Sequence, residues 1–419
     1  MRYEKLSKND IETLRRLGGR KAEIAALSVH KEKAALWTKL NDKKRTRPLL
    51  WINEIPWHEM NFNNELTCVC ENEQAKEIET RLRMEIYQWE HMPCDMVVRS
   101  FVECPLVIND PVFGIDEDVD TVGTDPASTV VSRHFHPQII NPEDIGKIKL
   151  PTIKHDSAAT EENFNCMQRI FEGIISVRKM GLNTMWFTPW DYLIRWWGVE
   201  QAMMDMVLRP DMVHAAVERM VDNYIHRINQ YEKLGLLTLD NTNHRIGSGG
   251  YAYTSELPAE SPDGTPAATK QLWGCSNAQI FSEISPEMHW EFAVKHDLRW
   301  LEKWGMNYYG CCEPLDKKMN VLRKIPKLRK ISMSPWINID NAVKEVGTDY
   351  VFSYKFNPAF MAETEWDTKR VEKELEMVLE KTKGCFVELI LKDISTVRYQ
   401  PQRLWDYSKI AARLVEKYA

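Results

Sequence analysis

No run of the sequence approaches the roughly eighteen apolar residues that a membrane-crossing helix needs. The first stretch, Met1 to Arg20, is charged throughout and lacks the apolar centre of a signal peptide. There is no surplus of positive charge either. The 55 Lys and Arg against 61 Asp and Glu leave a net charge of -6, which gives no general pull toward nucleic acid or an anionic membrane. The nine cysteines are irregularly spaced, and an odd number cannot pair completely. These absences predict a cytoplasmic protein with reduced thiols.

The 419 residues suffice for one large domain or two ordinary ones. Fifteen Trp and nineteen Met are more than core filling requires and point to apolar pockets or surfaces. Residues 1–45 read as a charged helical extension with one packed face (Ile24, Ala25, Leu27, Ala35, Leu36). Eight strand-like runs follow, at 48–54, 95–102, 184–189, 236–243, 307–313, 330–336, 350–357 and 385–391, and helical stretches separate them. Several are apolar at the start and polar at the end, as buried parallel strands are when they open into a site. The pattern predicts an α/β fold, a (β/α)8 TIM barrel over 46–419, with its site at the C-terminal strand ends.

Residues 104–162 break the alternation and read as an excursion over one face. Its acidic run, Asp116 to Asp120, lacks the Gly and the later Glu of a calcium loop and reads as a solvated turn. His134 and His136 form a pair on one strand face with no third ligand nearby.

The stretch Asn307-Tyr308-Tyr309-Gly310-Cys311-Cys312-Glu313-Pro314 carries the chemistry. Strand alternation places Asn307, Tyr309, Cys311 and Glu313 on one side. A thiol and a carboxylate at a strand end serve as metal ligands or proton handlers. The plainer alternative is two small buried cysteines and a Glu that caps the next helix. Asn53, Asp240, Lys355 and Glu388 also fall on inward strand positions, and a Glu inside Phe386 to Leu391 needs a partner, for which Lys355 is placed. That pair is either structural or part of a site assembled from several strands. Trp186, Trp273 and Trp336, near strand ends or loops, are candidates to line a mouth, although each taken singly also suits the core.

Five further short stretches bring in a family. Thr188-Pro189-Trp190-Asp191, then Gly198-Val199-Glu200 and Leu208-Arg209-Pro210-Asp211, and then Phe281 to Glu287 with Trp290-Glu291-Phe292, resemble the uroporphyrinogen decarboxylase superfamily in this order, over roughly 45–415. The decarboxylases of that family grip their substrate with an Arg-rich N-terminal segment. Here Arg47 to Met60 holds a single Arg. The other branch comprises zinc-dependent, cobalamin-linked methyltransferases with a His-x-Cys metal motif on the fifth strand and a further Cys on the last. This chain departs from that pattern, with Tyr309-Gly310-Cys311 in place of the motif and Glu388 or Asp393 on the last strand.

The resemblance is closer to the first methyltransferase of anaerobic O-demethylases, which moves a methyl group from an aryl methyl ether to a corrinoid protein. It implies zinc with varied ligands, for which Cys311 comes first and Glu388, Cys275 and Cys312 follow. Glu313, Tyr309, Asp240 and His244 are left for proton transfer or substrate orientation, and Asn53, Trp186, Trp273, Trp336 and Lys355 for binding. Thr242-x-His244-x-x-Gly247 resembles the cobalt-ligating loop of corrinoid proteins, with Thr in place of its Asp and no doubly wound domain after it. The corrinoid is therefore expected on a separate partner protein. The alternatives are a decarboxylase and a non-catalytic corrinoid-binding partner.

Overall fold

The computed structural model describes residues 1–123, 125–128, 130–260 and 265–419. Six strands form one parallel sheet: Leu49–Ile52 (β1), Trp273–Ser276 (β2), Met306–Tyr309 (β3), Leu328–Met333 (β4), Val351–Lys355 (β5) and Phe386–Leu391 (β6). Their spatial order is β1-β6-β5-β4-β3-β2. Parallel neighbours cannot be joined by a tight turn, so each connection from β2 to β6 crosses over through a helix. Those helices include Lys295–Leu301, Met319–Leu322, Ile339–Val346 and Thr368–Lys381. The last shows how sequence places them. Asp367 accepts from the Lys369 and Arg370 amides at its start. Its buried Val371, Leu375, Val378 and Leu379 recur at helical spacing and face the sheet.

Five of the eight expected strand runs supply β1 and β3 to β6. The other three do not join this sheet, and β2 comes from a stretch that carried no strand expectation. Among the described residues, Phe101–Pro105 pairs only with Ser176–Met180, and the runs near 184 and 237 meet at one bridge, Leu182 to Leu237. Side chains supplement the few backbone bonds there. The Leu50 amide donates to Asp95 Oδ2 at 2.7 Å, and the Gly181 amide donates to Thr238 Oγ1 at 2.6 Å. The architecture is thus mixed α/β around a six-stranded parallel sheet.

The N-terminal segment forms two helices, Lys8–Ala25 (α1) and Val29–Asn41 (α2). α1 opens on a reciprocal Ser7–Asp10 capping box. From α2, buried Trp37 donates to the Asp95 carbonyl at 2.8 Å, while Asn41 Nδ2 donates to the carbonyls of Tyr251 and Tyr253. The 104–162 excursion holds two small ladders, Ile108–Asn109 with Lys154–His155 and Val119–Val122 with Ser132–Phe135. In the second, exposed His136 pairs with Asp120 at 3.0 Å.

The Gly-rich loop 246–251 packs against the inner face of the sheet. A Cβ at Gly249 would stand 2.4 Å from Glu388 Oε1 and 2.7 Å from the Tyr308 ring, so no larger residue fits.

Behind β2, fully buried Asp297 accepts from Ser276 Oγ at 2.7 Å, and burial pushes its carboxyl up to about 8. The unfolded chain releases that proton near pH 4. The stability contributed by this group is therefore complete below about pH 4 and is lost as pH rises toward 8. Asp297→Asn is expected to raise stability at pH 8 by on the order of a few kcal/mol and to leave it nearly unchanged at pH 4, as read from urea midpoints. A difference that does not vary with pH would refute the buried-proton assignment.

Candidate active site

The C-terminal ends of β1, β2, β3 and β6 open on one cavity of about 430 Å³. Glu54, Trp186, Asp191, Cys311, Lys392 and Asp393 line it, together with Arg245, Cys275 and Gln279. Three backbone features aim these groups. Gly310, at φ +98°, turns the chain as it leaves β3 and brings Cys311 to the cavity. Glu54 and Asp393 both adopt the left-handed region, and the Asp393 amide donates to Glu54 Oε2 at 3.0 Å.

The charged groups form a chain. Cys311 and Cys312 hold their sulphurs 3.6 Å apart, and Cys312 Sγ lies 3.4 Å from Asp393 Oδ2. Lys392 Nζ stands 3.6 Å from Cys311 Sγ and 3.5 Å from Glu54 Oε2, and it also donates to Asp393. Arg245 pairs with Glu54 at 2.6 Å. Burial disfavours the Lys392 ammonium, but Cys311, Cys312, Asp393 and Glu54 outweigh it and raise the group above its ordinary value, so it stays charged. A hydrogen bond from Cys312 lowers the Cys311 thiol against its burial, and Lys392 adds to that effect.

Asp191 faces these groups from the helix Pro189–Trp197. Gln279 Nε2 donates to its Oδ2 at 2.7 Å, and its Oδ1 has no partner. Burial raises its carboxyl above the usual range, against the Thr188 and Gln279 hydrogen bonds and the charges of Arg195 and Lys392. The cavity thus presents a fixed cation and a carboxyl inclined to keep its proton.

Of the residues expected from sequence, Cys311, Cys275 and Trp186 line this cavity, and Cys312 adjoins it. The supposed common face of Asn307, Tyr309, Cys311 and Glu313 is corrected. Asn307 donates to the carbonyls of Leu301 and Pro326, away from the sheet interior. Tyr309 Oη and His289 Nε2 share a hydrogen bond at 2.7 Å, and burial pushes the imidazole down to about 3. The inward residue is Tyr308, which meets Ser248, Lys355 and Ser353. Glu313 is fully buried and accepts from the amides of Cys311 at 2.8 Å and Ala278 at 3.2 Å, so it braces the loop.

Glu388 is corrected as well. Its partner is Lys330, at 2.9 Å with both side chains fully buried, and the Gly250 amide adds a further bond. Lys355 bonds instead to Tyr308 and Ser353, and burial pushes its amine down to about 7. Asp240 pairs with Arg99 at 2.7 Å, and His244 stands 3.8 Å from Asp240. Burial drives that imidazole down to about 4, so it is neutral, and neither ring nitrogen has a partner. Neither residue lines the Cys311 cavity. Trp273 is fully buried and donates to the Ala252 carbonyl, whereas Trp336 is 68% exposed. Asn53 is half-buried, and its amide group has no partner.

Zinc requires several donors around one point. Among the described residues, only two groups bring three candidate ligand atoms within 4.8 Å of one another: His58, Glu59 and Asp125, and Glu65, Glu90 and His91. Neither contains Cys275, Cys311, Cys312 or Glu388. Beside the two adjacent thiols the Lys392 ammonium stands 3.6 Å from Cys311 Sγ, and Glu388 is enclosed by Lys330 and the Gly-rich loop. The residues do not fit a zinc centre in this arrangement.

Asp191, Lys392, Glu54 and Arg245 were not singled out as site residues from the sequence. A signal existed for two of them. Lys392-Asp393 directly follows the apolar run of β6, and Asp191 lies two residues after the Pro189 that ends a strand-like run.

No protein-family model matches this sequence, and no curated protein does. Among solved structures, the chain is similar to a methyltransferase from Methanosarcina mazei, with a TM-score of 0.52 and 11% identity. The match covers 92% of this chain and 99% of that one. At this identity, what the two chains share is a fold, over nearly their whole lengths.

Proposed function

We propose that this chain is a methyltransferase that moves the methyl group of a methoxylated aromatic to the cobalt(I) corrinoid of a separate protein. The observation that carries the reading is the juxtaposition of Lys392, Asp191 and Trp186 around one cavity at the strand ends. The methyl acceptor brings the nucleophilic electron pair, so the chain needs no nucleophile of its own. Its task is to take up the charge that develops as the carbon–oxygen bond breaks. The bonding pair stays on the ether oxygen, the Lys392 ammonium stabilises the resulting phenolate, and Asp191 gives it a proton. Trp186, 39% exposed at the rim, offers a face to an aromatic ring. No step here is routed through zinc, and the shared fold with a methyltransferase supports the reading at the level of architecture.

Decarboxylation of a polycarboxylate finds less support. Among the cavity-lining residues, three carboxylates face two cations, which leaves no surplus of positive charge for a substrate with several carboxylates. Arg99 is committed to Asp240 and Glu103, and Lys355 to Tyr308 and Ser353.

The test is anaerobic incubation with 2-methoxyphenol and a cobalt(I) corrinoid protein, with catechol and the methylated acceptor quantified together. Equal amounts of the two products are expected. If methoxyphenols of varied substitution yield neither product, the reading is wrong.

A further inference from the structure

A second cavity, of about 360 Å³, lies on the other side of Arg245, which lines both. Its walls include Trp51, Met96, Arg99, Asn243 and Tyr251. We propose that this cavity is a binding site for a small aromatic carboxylate, distinct from the Cys311 cavity and independent of the methyl-transfer reading.

Three buried polar atoms on its lining residues have no hydrogen-bond partner: Trp51 Nε1, Arg245 Nε and Asn243 Oδ1. Trp51 is only 8% exposed, so its N–H is hidden from bulk water and left unbonded within the protein. Buried donors of this kind are normally satisfied, and unsatisfied ones call for a ligand or an ordered water. Two of the three are N–H donors, and they require an acceptor. The charge of the lining selects an anionic one. Of the lining cations, Lys21 pairs with Glu85, Arg99 with Glu103 and Asp240, and Arg245 with Glu54, so exposed Arg81 supplies the remaining positive charge.

The remaining surface selects a ring. Trp51 and Tyr251 hold their ring centroids 4.7 Å apart at 43°, which gives a tilted aromatic wall, and Met96 adds a polarisable thioether. Asn243 donates its Nδ2 to the Val97 carbonyl and keeps its oxygen free for a ring hydroxyl. The volume lies at the lower end of the range for small-molecule sites, which runs from about 300 to 1,000 Å³. A single ring with one carboxylate is the class that satisfies both N–H donors and the aromatic wall.

Calorimetric titration of the full-length protein, with no corrinoid present, tests this. Benzoate is expected to bind with a Kd on the order of 0.1–1 mM. Benzyl alcohol lacks the charge and inorganic phosphate lacks the ring, so each is expected to bind at least about tenfold more weakly. Trp51→Phe keeps an aromatic ring and removes the N–H, and should weaken benzoate about tenfold. Because that N–H has no partner among the described residues, the urea midpoint of the variant should not fall. The proposal is overturned if benzoate shows no binding up to about 10 mM, if phosphate or benzyl alcohol binds as well, or if Trp51→Phe binds benzoate unchanged. Should Trp51→Phe fail to fold, the three-ligand comparison on the unaltered chain decides.

Discussion

Lys392→Met is expected to slow methyl transfer about 100- to 1,000-fold, the usual loss when one preorganised charge at a developing oxyanion is removed. The expectation rests on position. Lys392 lines the cavity, its side chain is 4% exposed, and four anionic or potentially anionic neighbours keep it charged. The loss should fall on kcat and should grow as the phenol becomes a poorer leaving group, because such phenolates depend more on external stabilisation. The urea midpoint should shift far less, since Asp393 is 47% exposed and can be solvated when its partner is gone. Steady-state rates across a series of substituted methoxyphenols provide the check. A loss under about threefold, equal for good and poor leaving groups, would remove Lys392 from the reaction.

Glu388→Ala should have the largest effect on folding. It strands Lys330 as a fully buried, unpaired ammonium and leaves the Gly250 amide without its acceptor. Breaking such a pair costs about 3–5 kcal/mol, whereas replacing both partners with apolar residues of similar size is often neutral or better. The double variant Lys330→Met/Glu388→Met is therefore expected to recover most of the stability lost by the single one in urea denaturation. A single variant as stable as the parent chain would show that the pair is not buried as described. Glu388 in a metal-binding role would give a different result, with zinc content falling in step.

The two predictions mark what the sequence disclosed and where it misled. The stretch after β3 was recognisable because thiols and a carboxylate seldom end an apolar run without a reason. The order of strands β3 to β6 was equally legible, since each is β-branched, aromatic or aliphatic and is followed by a stretch of helical period. Cys311 lines the cavity, whereas Tyr309, expected on the same side, does not. Strict alternation should have carried Tyr309 inward with it, but Gly310 rotates the frame between them, and a positive φ is not visible in a residue pattern.

Glu388 needed a partner, as its apolar surroundings implied. Choosing between Lys330 and Lys355, on adjacent strands at similar inward positions, required the actual register. β2 escaped notice because Trp-Gly-Cys-Ser has little strand character. Gly274 is required there because a Cβ would stand 2.3 Å from the Trp304 ring, a contact set by tertiary packing.

The central claim, that a fixed ammonium rather than a metal serves the leaving group, is most directly tested by zinc analysis of the purified, active protein. The chain should be isolated under reducing, anaerobic conditions and assayed before and after chelation. Far less than one zinc per chain is expected, with a demethylation rate that chelation leaves intact. About one tightly held zinc per chain, absent from Cys311→Ala and required for activity, would contradict it and return the site to a metal centre.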